Sequence, residues 1–381
     1  MARSLLLKVR FFSAFEKWKK LSGIDRAKIL YKWYELILEN QEDLAQILTL
    51  EQGKPLAEAK AEIMYGASYI EWYSEESKRL NGYIISANNL EQRITVNSEP
   101  VGVCAAITPW NFPNAMLARK VAPALAAGCT MIAKPASQTP LSTNALAYLA
   151  LQAGVPAGVF NVLHGHSGQI GEFLAHNQQV RKLSFTGSTE VGIWLYQNCA
   201  NSMKKLSLEL GGNAPLVVFA DADLDLAVTG IMQSKFRNNG QTCVCSNRIL
   251  VHQSIKDVLI DKLKAQIAKL KLGSGMDINN TNGPLIDGKA LLHIQSLVKN
   301  AITKGAKLVF GGIARIDIGA NFFEPTLLDC PDSNLRLFKE EIFGPVLAVY
   351  TFTDDDEALK LANQTEYGLA SYFFTQNLER V

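Results

Sequence analysis

Apolar residues recur at helical spacing in the first part of the chain. In Ile24–Leu38 they stand three or four positions apart, and Leu56–Arg79 repeats the pattern. Such spacing gives a helix one apolar face, which packs against a core. The sequence therefore predicts a helical region from about Ser13 to Leu80.

A different pattern begins at Gly82. Two short runs, Tyr83–Ile85 and Arg93–Val96, are rich in strand-forming residues and are separated by polar Asn88 and Asn89. Two such runs around a polar turn are typical of a β-hairpin. Because no core partner lies near it in the sequence, we expect the hairpin at an interface.

From Val101 onward, short apolar runs alternate with helical segments. This alternation implies parallel strands joined by right-handed crossovers, so we expect an α/β fold with doubly wound parallel sheets. A second unit of the same kind starts at Ala214, and in such sheets ligands bind outside the carboxyl ends of the strands. In the first unit the predicted strands are Val103–Ile107, Thr130–Ala133, Val159–Leu163, Val180–Phe185 and Leu206–Leu210, and the predicted helices are Met116–Ala127, Ser142–Ala153, Gly168–His176 and Glu190–Ala200.

Composition narrows the class of protein and its partners. The 381 residues, 48% hydrophobic and 19% charged, suffice for two or three soluble domains. A net charge of +2, with scattered Lys and Arg, argues against nucleic acid or an acidic membrane surface as a partner, and no apolar run is long enough to cross a membrane. Six cysteines are too few for a disulfide framework and favour free thiols in a reducing compartment. The basic opening Met1–Phe12 lacks a small-residue cleavage site, so we expect a cytoplasmic protein.

One stretch, Gly240–Cys245, carries a candidate nucleophile. A thiolate attacks carbonyl carbons well, and Cys243 follows a polar, glycine-containing approach that a ligand can reach. The alternative is that Cys243 is a small buried apolar residue, as free cysteines often are. The local sequence leaves both interpretations open.

Two further segments carry candidate chemistry. Glu209 is followed by two glycines, so a ligand can approach its carboxylate as a general base requires, although a solvated strand-end acid fits equally. Gly187–Gly192 opens a helix whose free N–H groups suit a phosphate, although Ser188 could simply cap that helix. Neither the five histidines nor Cys243 with Cys245 show the ligand spacing of a metal site, so we expect no metal.

Taken in order, these segments resemble the NAD(P)-dependent aldehyde dehydrogenase superfamily, and within it the succinate-semialdehyde dehydrogenases. The resemblance runs from about Ala14 to Val381 and rests on six motifs together, which is far more specific than any one of them. The motifs are Pro109–Pro113, Lys134–Ser137, Phe185–Ser188, Leu208–Gly212, Gly240–Cys243 and Glu341–Pro345.

The resemblance implies a catalytic set. Cys243 would attack an aldehyde carbon, and the side-chain amide of Asn111 with the backbone N–H of Cys243 would hold the oxyanion. Glu209 would activate the water that hydrolyses the resulting thioester. Arg119 and Arg237 would grip a distal carboxylate on the substrate, although each could instead be an ordinary surface charge.

The resemblance also implies a nicotinamide cofactor. Lys134 would bind the adenosine ribose, and Ser137, where NAD-preferring relatives often have glutamate, predicts that NADP is accepted as well as NAD. Glu341 and Phe343 would position the nicotinamide half. The full set of expected cofactor contacts is Trp110, Asn111, Lys134, Pro135, Ala136, Ser137, Gly187, Ser188, Leu210, Glu341 and Phe343.

The expected domains follow from the same resemblance: a cofactor-binding domain over 1–81 and 101–211, an oligomerisation hairpin over 82–100, and a catalytic domain over 212–381. Relatives continue past the position of Val381, so we expect the catalytic domain to be incomplete and the intact protein to be a homodimer or homotetramer.

Cys245 resembles the partner of a redox switch with Cys243, with an inert neighbour as the alternative. Two other functions stay open: a thiol hydrolase or acyltransferase that uses Cys243 and Glu209, and an inactive remnant that binds only nucleotide or a partner subunit.

Overall fold

The computed structural model describes residues 13–381, and they form two compact units. In the described part, the first unit contains the residues up to Glu51 and Ala59–Glu209, and the second contains Gln52–Glu58 and Leu210–Val381. The segment Gln52–Glu58 therefore packs with the second unit, a detail that the predicted boundaries do not include. The opening residues of the chain, Met1–Phe12, lie outside the described residues.

The helical region predicted near the amino terminus is confirmed. After helical residues 13–18 come α1 (Gly23–Glu39), α2 (Gln41–Gln52) and α3 (Leu56–Glu76). Ser22 caps α1 by accepting the N–H of Asp25, and Trp33 in the same helix is fully buried. A buried tryptophan of this kind contributes roughly 3–5 kcal/mol to stability, so its apolar face holds α1 in place.

The predicted hairpin is confirmed as β1 (Tyr83–Ile85) and β2 (Ile94–Val96). The two strands pair antiparallel, with Tyr83 opposite Val96. Their side chains are largely exposed; Ile84, for example, is 79% exposed.

The first unit is built on a five-stranded parallel sheet with the strand order β5-β4-β3-β6-β7. The order reverses between β3 and β6, and a doubly wound sheet binds its ligand at such a switch point. The strands are β3 (Val103–Ile107), β4 (Thr130–Lys134), β5 (Phe160–Val162), β6 (Val180–Thr186) and β7 (Lys205–Glu209), and the helices are α4 (Ala115–Ala126), α5 (Pro140–Gln152), α6 (Ser167–His176) and α7 (Thr189–Cys199).

The second unit contains a six-stranded sheet with the order β10-β11-β12-β9-β8-β13. Five strands are parallel, as the predicted doubly wound fold requires, and the edge strand β10 pairs antiparallel with β11. The strands are β8 (Ala214–Val218), β9 (Ser246–His252), β10 (Lys307–Phe310), β11 (Thr326–Asp329), β12 (Val346–Phe352) and β13 (Tyr372–Phe374), and the helices are α8 (Leu224–Phe236), α9 (Lys256–Ile267), α10 (Gly288–Thr303), α11 (Arg336–Lys339) and α12 (Asp355–Asn363).

A hydrophobic core covers each face of the second sheet. Alternate residues of β12 divide between the two cores: Val346, Ala348 and Tyr350 belong to one, and Leu347 and Val349 to the other. This alternation follows from the two-residue period of a strand. The central strands, such as β12, are therefore buried on both faces, which leaves their ends as the places where polar side chains gather.

Candidate functional site

In the first unit, the predicted residues lie along one edge of the sheet. They follow four strands that are neighbours in the order β4-β3-β6-β7 and run parallel, so their carboxyl ends share that edge. Trp110 and Asn111 follow β3, Lys134 ends β4 and leads into Pro135, Ala136 and Ser137, Gly187 and Ser188 follow β6, and Glu209 ends β7.

A buried carboxylate fixes the start of the helix that follows Asn111. Glu62 is 3% exposed, and its Oε1 accepts the backbone N–H groups of Asn114 and Ala115 at 2.9 and 3.2 Å. N–H groups at the first turn of a helix have no partner within the helix, so a carboxylate there stabilises it. The contact fixes where α4 begins, and α4 carries Arg119.

Next to the half-buried Arg119 lies a lysine with an unusual environment. Burial, with the nearby charge of Arg119, lowers the pKa of Lys120 to about 7, while Glu209 opposes the shift. Its Nζ lies 2.9 Å from the Ser184 Oγ. A lysine with such a pKa can gain and lose a proton near neutrality. The sequence alone did not point to Lys120.

The segments around Lys134 and Gly187 suit a ligand that carries phosphate. Lys134 is buried, and its Nζ donates to the Pro135 carbonyl at 2.6 Å. Ser188 caps α7, an eleven-residue helix, and its Oγ accepts the Val191 N–H at a long 3.4 Å. At the end of β6 the buried Thr186 hydroxyl has no hydrogen-bond partner in the described part of the chain. A cation, a helix amino terminus and an unsatisfied hydroxyl fit the polar half of a dinucleotide.

In the second unit, the candidate nucleophile Cys243 follows a turn with unusual backbone angles. Residues Arg237–Cys245, here called the thiol loop, begin with the 3-10 turn Arg237–Gly240. Asn238, Asn239 and Gly240 all have positive φ, and a Cβ at Gly240 would overlap the Gly344 carbonyl. Glycine is required at this position by both angle and space.

Side chains fasten the thiol loop from several directions. The Asn239 Nδ2 donates to the Gly283 carbonyl at 2.9 Å, and the Gln241 Oε1 accepts the Ile286 N–H at 2.9 Å. The Tyr372 hydroxyl donates to the Val244 carbonyl at 2.8 Å. A loop held in this way presents its thiol in a fixed direction, which nucleophilic catalysis requires.

Cys243 differs from the other cysteines in its exposure. It is half-buried, whereas Cys104, Cys129, Cys199, Cys245 and Cys330 are buried. Partial exposure is what a nucleophile that a ligand must reach requires, and the catalytic role of Cys243 stays a prediction. Its carbonyl packs so closely against Gly212 that a Cβ there would overlap it, and the Gly212 N–H donates to the Glu341 Oε1 at 3.1 Å. Gly212 thus lies between the thiol loop and the carboxylate predicted to hold the nicotinamide half.

Behind the thiol, Cys245 contacts a buried lysine. Cys245 is 2% exposed, and its Sγ donates to the Lys235 carbonyl at 3.8 Å. Lys235 is fully buried and its Nζ donates to the Asn247 Oδ1 at 3.2 Å. Burial lowers the pKa of Lys235, and Cys245 and Glu341 oppose that shift. The two cysteines are not joined by a disulfide in the described structure, and their pairing as a redox switch stays a prediction.

The remaining predicted residues lie in the same unit. Arg237 is exposed at the start of the thiol loop, and Phe343 adopts a positive φ of 51° after Glu341. Leu210 is half-buried at the beginning of the unit. Among residues 13–381, no three His, Cys, Asp or Glu side chains form a group that could hold a metal ion. No helix within the same range has the length and apolar character of a membrane span.

The fold and the order of these segments define the class of protein. The model of the aldehyde dehydrogenase family matches residues 12–381, and the chain belongs to this family. Among curated proteins, the chain is 53% identical over 368 residues to glutarate-semialdehyde dehydrogenase of Pseudomonas aeruginosa, covering 97% of this chain and 76% of that protein. It is 54% identical, with the same coverage, to the NADP(+) succinate-semialdehyde dehydrogenase of Escherichia coli K12.

Solved structures agree with the family. An NADP-dependent enzyme of E. coli superposes with a TM-score of 0.98 at 52% identity, covering 100% of this chain and 79% of that one. The chain thus spans about three quarters of the length of these relatives. The predicted α/β fold of this family is confirmed.

The residues that the sequence did not point to include Glu62 and Lys120 in the first unit and Lys235 and Tyr372 in the second. Lys235 left a signal, since it follows Ile231 by four positions and so shares the buried face of α8. A lysine on an apolar face is rare unless it has a partner. Glu62, Lys120 and Tyr372 left no comparable signal, because their importance comes from contacts between residues far apart in the chain.

Proposed function

We propose that this chain oxidises an aldehyde with a distal carboxylate, namely succinate semialdehyde or a close homologue such as glutarate semialdehyde, to the corresponding acid. The observation that carries the proposal is the half-buried thiol of Cys243 at the end of a fastened loop, while the other five cysteines are buried. The similarity to succinate- and glutarate-semialdehyde dehydrogenases supports the substrate class.

The cofactor in this proposal is NADP or NAD. Lys134 and Ser137 would hold the adenosine ribose and its substituent, because a cation and a hydroxyl tolerate a phosphate there. Gly187 and Ser188 would meet the pyrophosphate at the start of α7. Glu341 and Phe343 would hold the nicotinamide half, with Trp110, Pro135, Ala136 and Leu210 as further contacts. When bound, the nicotinamide ring accepts a hydride.

Covalent chemistry falls to Cys243. Its sulfur attacks the aldehyde carbon to form a thiohemiacetal, and the Asn111 amide and the Cys243 backbone N–H stabilise the oxyanion. Oxidation leaves a thioester on the sulfur. Glu209 takes a proton from water, the hydroxide adds to the thioester carbonyl, and the acid leaves as the thiolate re-forms.

Substrate choice in this proposal rests on Arg119 and Arg237. A guanidinium pairs with a carboxylate through two parallel N–H···O bonds, which a neutral aldehyde cannot use. Arg119 is half-buried on α4, and Arg237 is exposed at the start of the thiol loop.

The nucleophile is tested by substitution. With NADP and succinate semialdehyde, the purified chain should produce reduced nicotinamide, and Cys243→Ala should abolish production because no other residue supplies the covalent bond. Absorbance of the reduced cofactor gives the rate, and Cys330→Ala serves as a matched cysteine control. Turnover in Cys243→Ala would reject the mechanism.

Ester cleavage without cofactor binding in calorimetry would instead favour a thiol hydrolase, and failure to bind substrate or turn over would favour an inactive remnant.

The arginines are tested by comparing two aldehydes. Arg119→Met and Arg237→Met should each raise KM for succinate semialdehyde roughly 10- to 100-fold, since a charge-assisted hydrogen bond contributes about 1.5–3 kcal/mol. KM for butanal, which has four carbons but no carboxylate, should stay within about twofold of its wild-type value. Steady-state kinetics with both aldehydes measures this. An equal loss for both substrates would contradict the assignment.

A further inference from the structure

Three consecutive residues before the thiol have left-handed backbone conformations. The φ angles of Asn238, Asn239 and Gly240 are 50°, 55° and 75°. An L-residue visits this region singly rather than in runs, and each such non-glycine residue costs free energy that the surroundings must offset. The run therefore needs fixed partners to persist.

Glu58 provides a charged partner for the first residue of this run. Its Oε2 accepts the backbone N–H of Asn238 at 2.7 Å, across 180 positions of sequence. A carboxylate that accepts a backbone N–H forms a charge-assisted hydrogen bond, roughly twice as strong as one between neutral groups. Glu58 is also half-buried, so water competes less for its oxygens than at an exposed site.

The segment that presents Glu58 is itself held tightly in the second unit. The Leu56 N–H donates to the Gly275 carbonyl at 2.9 Å. A Cβ at Gly283 would overlap the Gly53 carbonyl, so the two backbones approach as closely as glycine allows. Glu58 therefore extends from a segment that is itself anchored within the second unit.

The constrained peptide lies between two residues of the proposed mechanism. Asn238 directly follows Arg237 and precedes Cys243 by five positions, and the Gln241 N–H donates back to the Asn238 carbonyl at 3.0 Å. A shift at the Asn238 peptide would therefore move the guanidinium on one side and the thiol on the other.

We propose that Glu58 is a positioning residue of the thiol loop, which holds the Asn238 peptide and so directs the Arg237 side chain and the Cys243 thiol. This inference rests on the proposed function, in which Cys243 is the nucleophile. Glu58 does not touch the substrate in this role. It acts through the backbone.

Three variants at position 58 separate the role of the hydrogen bond from that of the charge. Glu58→Met removes the acceptor at similar volume, Glu58→Asp keeps the charge but shortens the side chain by one methylene, and Glu58→Gln keeps an acceptor oxygen at the same reach. We expect Glu58→Met and Glu58→Asp to lower kcat/KM for succinate semialdehyde roughly 10- to 100-fold, with both a lower kcat and a higher KM. Glu58→Gln, which keeps the acceptor but loses the charge, should lower kcat/KM by clearly less than the other two variants.

Two readouts distinguish positioning from a general loss of structure. The alkylation rate of Cys243 by iodoacetamide should change at least threefold in Glu58→Met and Glu58→Asp, whereas the dissociation constant for NADP should stay within twofold. Asp223 gives a matched control, because it caps the other end of α8 by accepting the Asp225 and Leu226 N–H groups. Asp223→Ala should lower the melting temperature without changing alkylation or kcat/KM.

Wild-type kinetics and alkylation in Glu58→Met would overturn the proposal, as would an equal loss in Glu58→Gln. A matching loss of NADP affinity would overturn it too, since the effect would then be structural. Should Glu58→Met not fold, Glu58→Asp carries the same test. If Cys243→Ala keeps its activity, the proposed function fails, whereas normal Glu58 variants beside an inactive Cys243→Ala reject only the positioning role.

Discussion

The carboxyl group of Glu341 lies in surroundings that oppose its charge. Burial raises its pKa to about 7, and the Gly212 N–H and the charge of Lys235 only partly offset the shift. Because the folded pKa lies above the ordinary value, the folded state binds more protons between pH 4.5 and 7 than the unfolded state does. This group therefore makes the fold less stable as pH rises through that range. Proteins keep such a group where its chemistry is needed.

This pKa predicts a pH dependence of cofactor binding. The ionised carboxylate of Glu341 would accept hydrogen bonds from the nicotinamide half more strongly than the protonated group would, so KM for NADP should be constant above about pH 8 and rise as pH falls through 7. Glu341→Gln should bind NADP more weakly at pH 8 and show a flat profile. Steady-state kinetics from pH 6 to 9 measures both. A wild-type KM that does not vary with pH would remove Glu341 from this role.

Single residues also show where sequence reasoning reaches its limit. Cys243 could be proposed because its chemistry and its family motif are local. The anchors around it could not, because Tyr372 and the thiol loop meet only when β13 joins the sheet beside β8. Likewise the partner of Glu62 lies 52 positions away. A nucleophile can be predicted from a local motif, whereas the long-range contacts that orient its side chain cannot.

At the level of elements, the alternating apolar runs predict nearly all strands and helices. Periodicity alone does not predict whether a strand is parallel or antiparallel to its neighbour. The edge strand β10 is the example, since it pairs antiparallel with β11. A parallel crossover needs an intervening element, usually a helix, and between Phe310 and Thr326 the chain has none. The double glycine Gly311–Gly312 marks a turn there, and both residues have positive φ. The absence of a helix between β10 and β11 thus indicates that these two strands are antiparallel.

The start of α4 depends on one carboxylate from another helix, and this predicts a local change in stability. Glu62→Met would leave the N–H groups of Asn114 and Ala115 without this acceptor, at a cost of about 1–3 kcal/mol. Amide exchange of peptides covering residues 110–126 should become roughly 10- to 100-fold faster. Glu62→Gln, which keeps an acceptor, should show a much smaller change. Unchanged amide exchange in Glu62→Met would show that the first turn of α4 is stable without the Glu62 carboxylate.

At the level of the whole molecule, the hairpin β1–β2 exposes apolar side chains that a single copy leaves in water. Tyr83, Ile84 and Leu90 are 62%, 79% and 105% exposed. Large apolar side chains that a hairpin exposes to this extent are typical of an interaction surface. We therefore propose that the hairpin joins copies of this chain, in line with the homo-oligomer that the family resemblance implies.

A charge placed on the hairpin should weaken this association. Sedimentation should show a dimer or tetramer for the wild type and a smaller species for Ile84→Lys, since burying a lysine charge at an interface is costly. Leu292→Lys, on an exposed position of α10, provides the control and should sediment like wild type. A monomeric wild type, or a variant that associates unchanged, would exclude the hairpin as the contact.

The left-handed turn before the thiol also bears on how the molecule ages. Asn239 precedes Gly240, and in a mobile chain such an asparagine amide readily cyclises onto the next backbone nitrogen and ends as an acid. Here its Nδ2 donates to the Gly283 carbonyl and its Oδ1 accepts from the Asn282 Nδ2 at 3.2 Å, so the amide is held away from that reaction. An opening of the turn would release the amide, and deamidation would then make the change permanent. The lifetime of the intact protein therefore depends on how rarely the hydrogen bonds of Asn239 to Gly283 and Asn282 break.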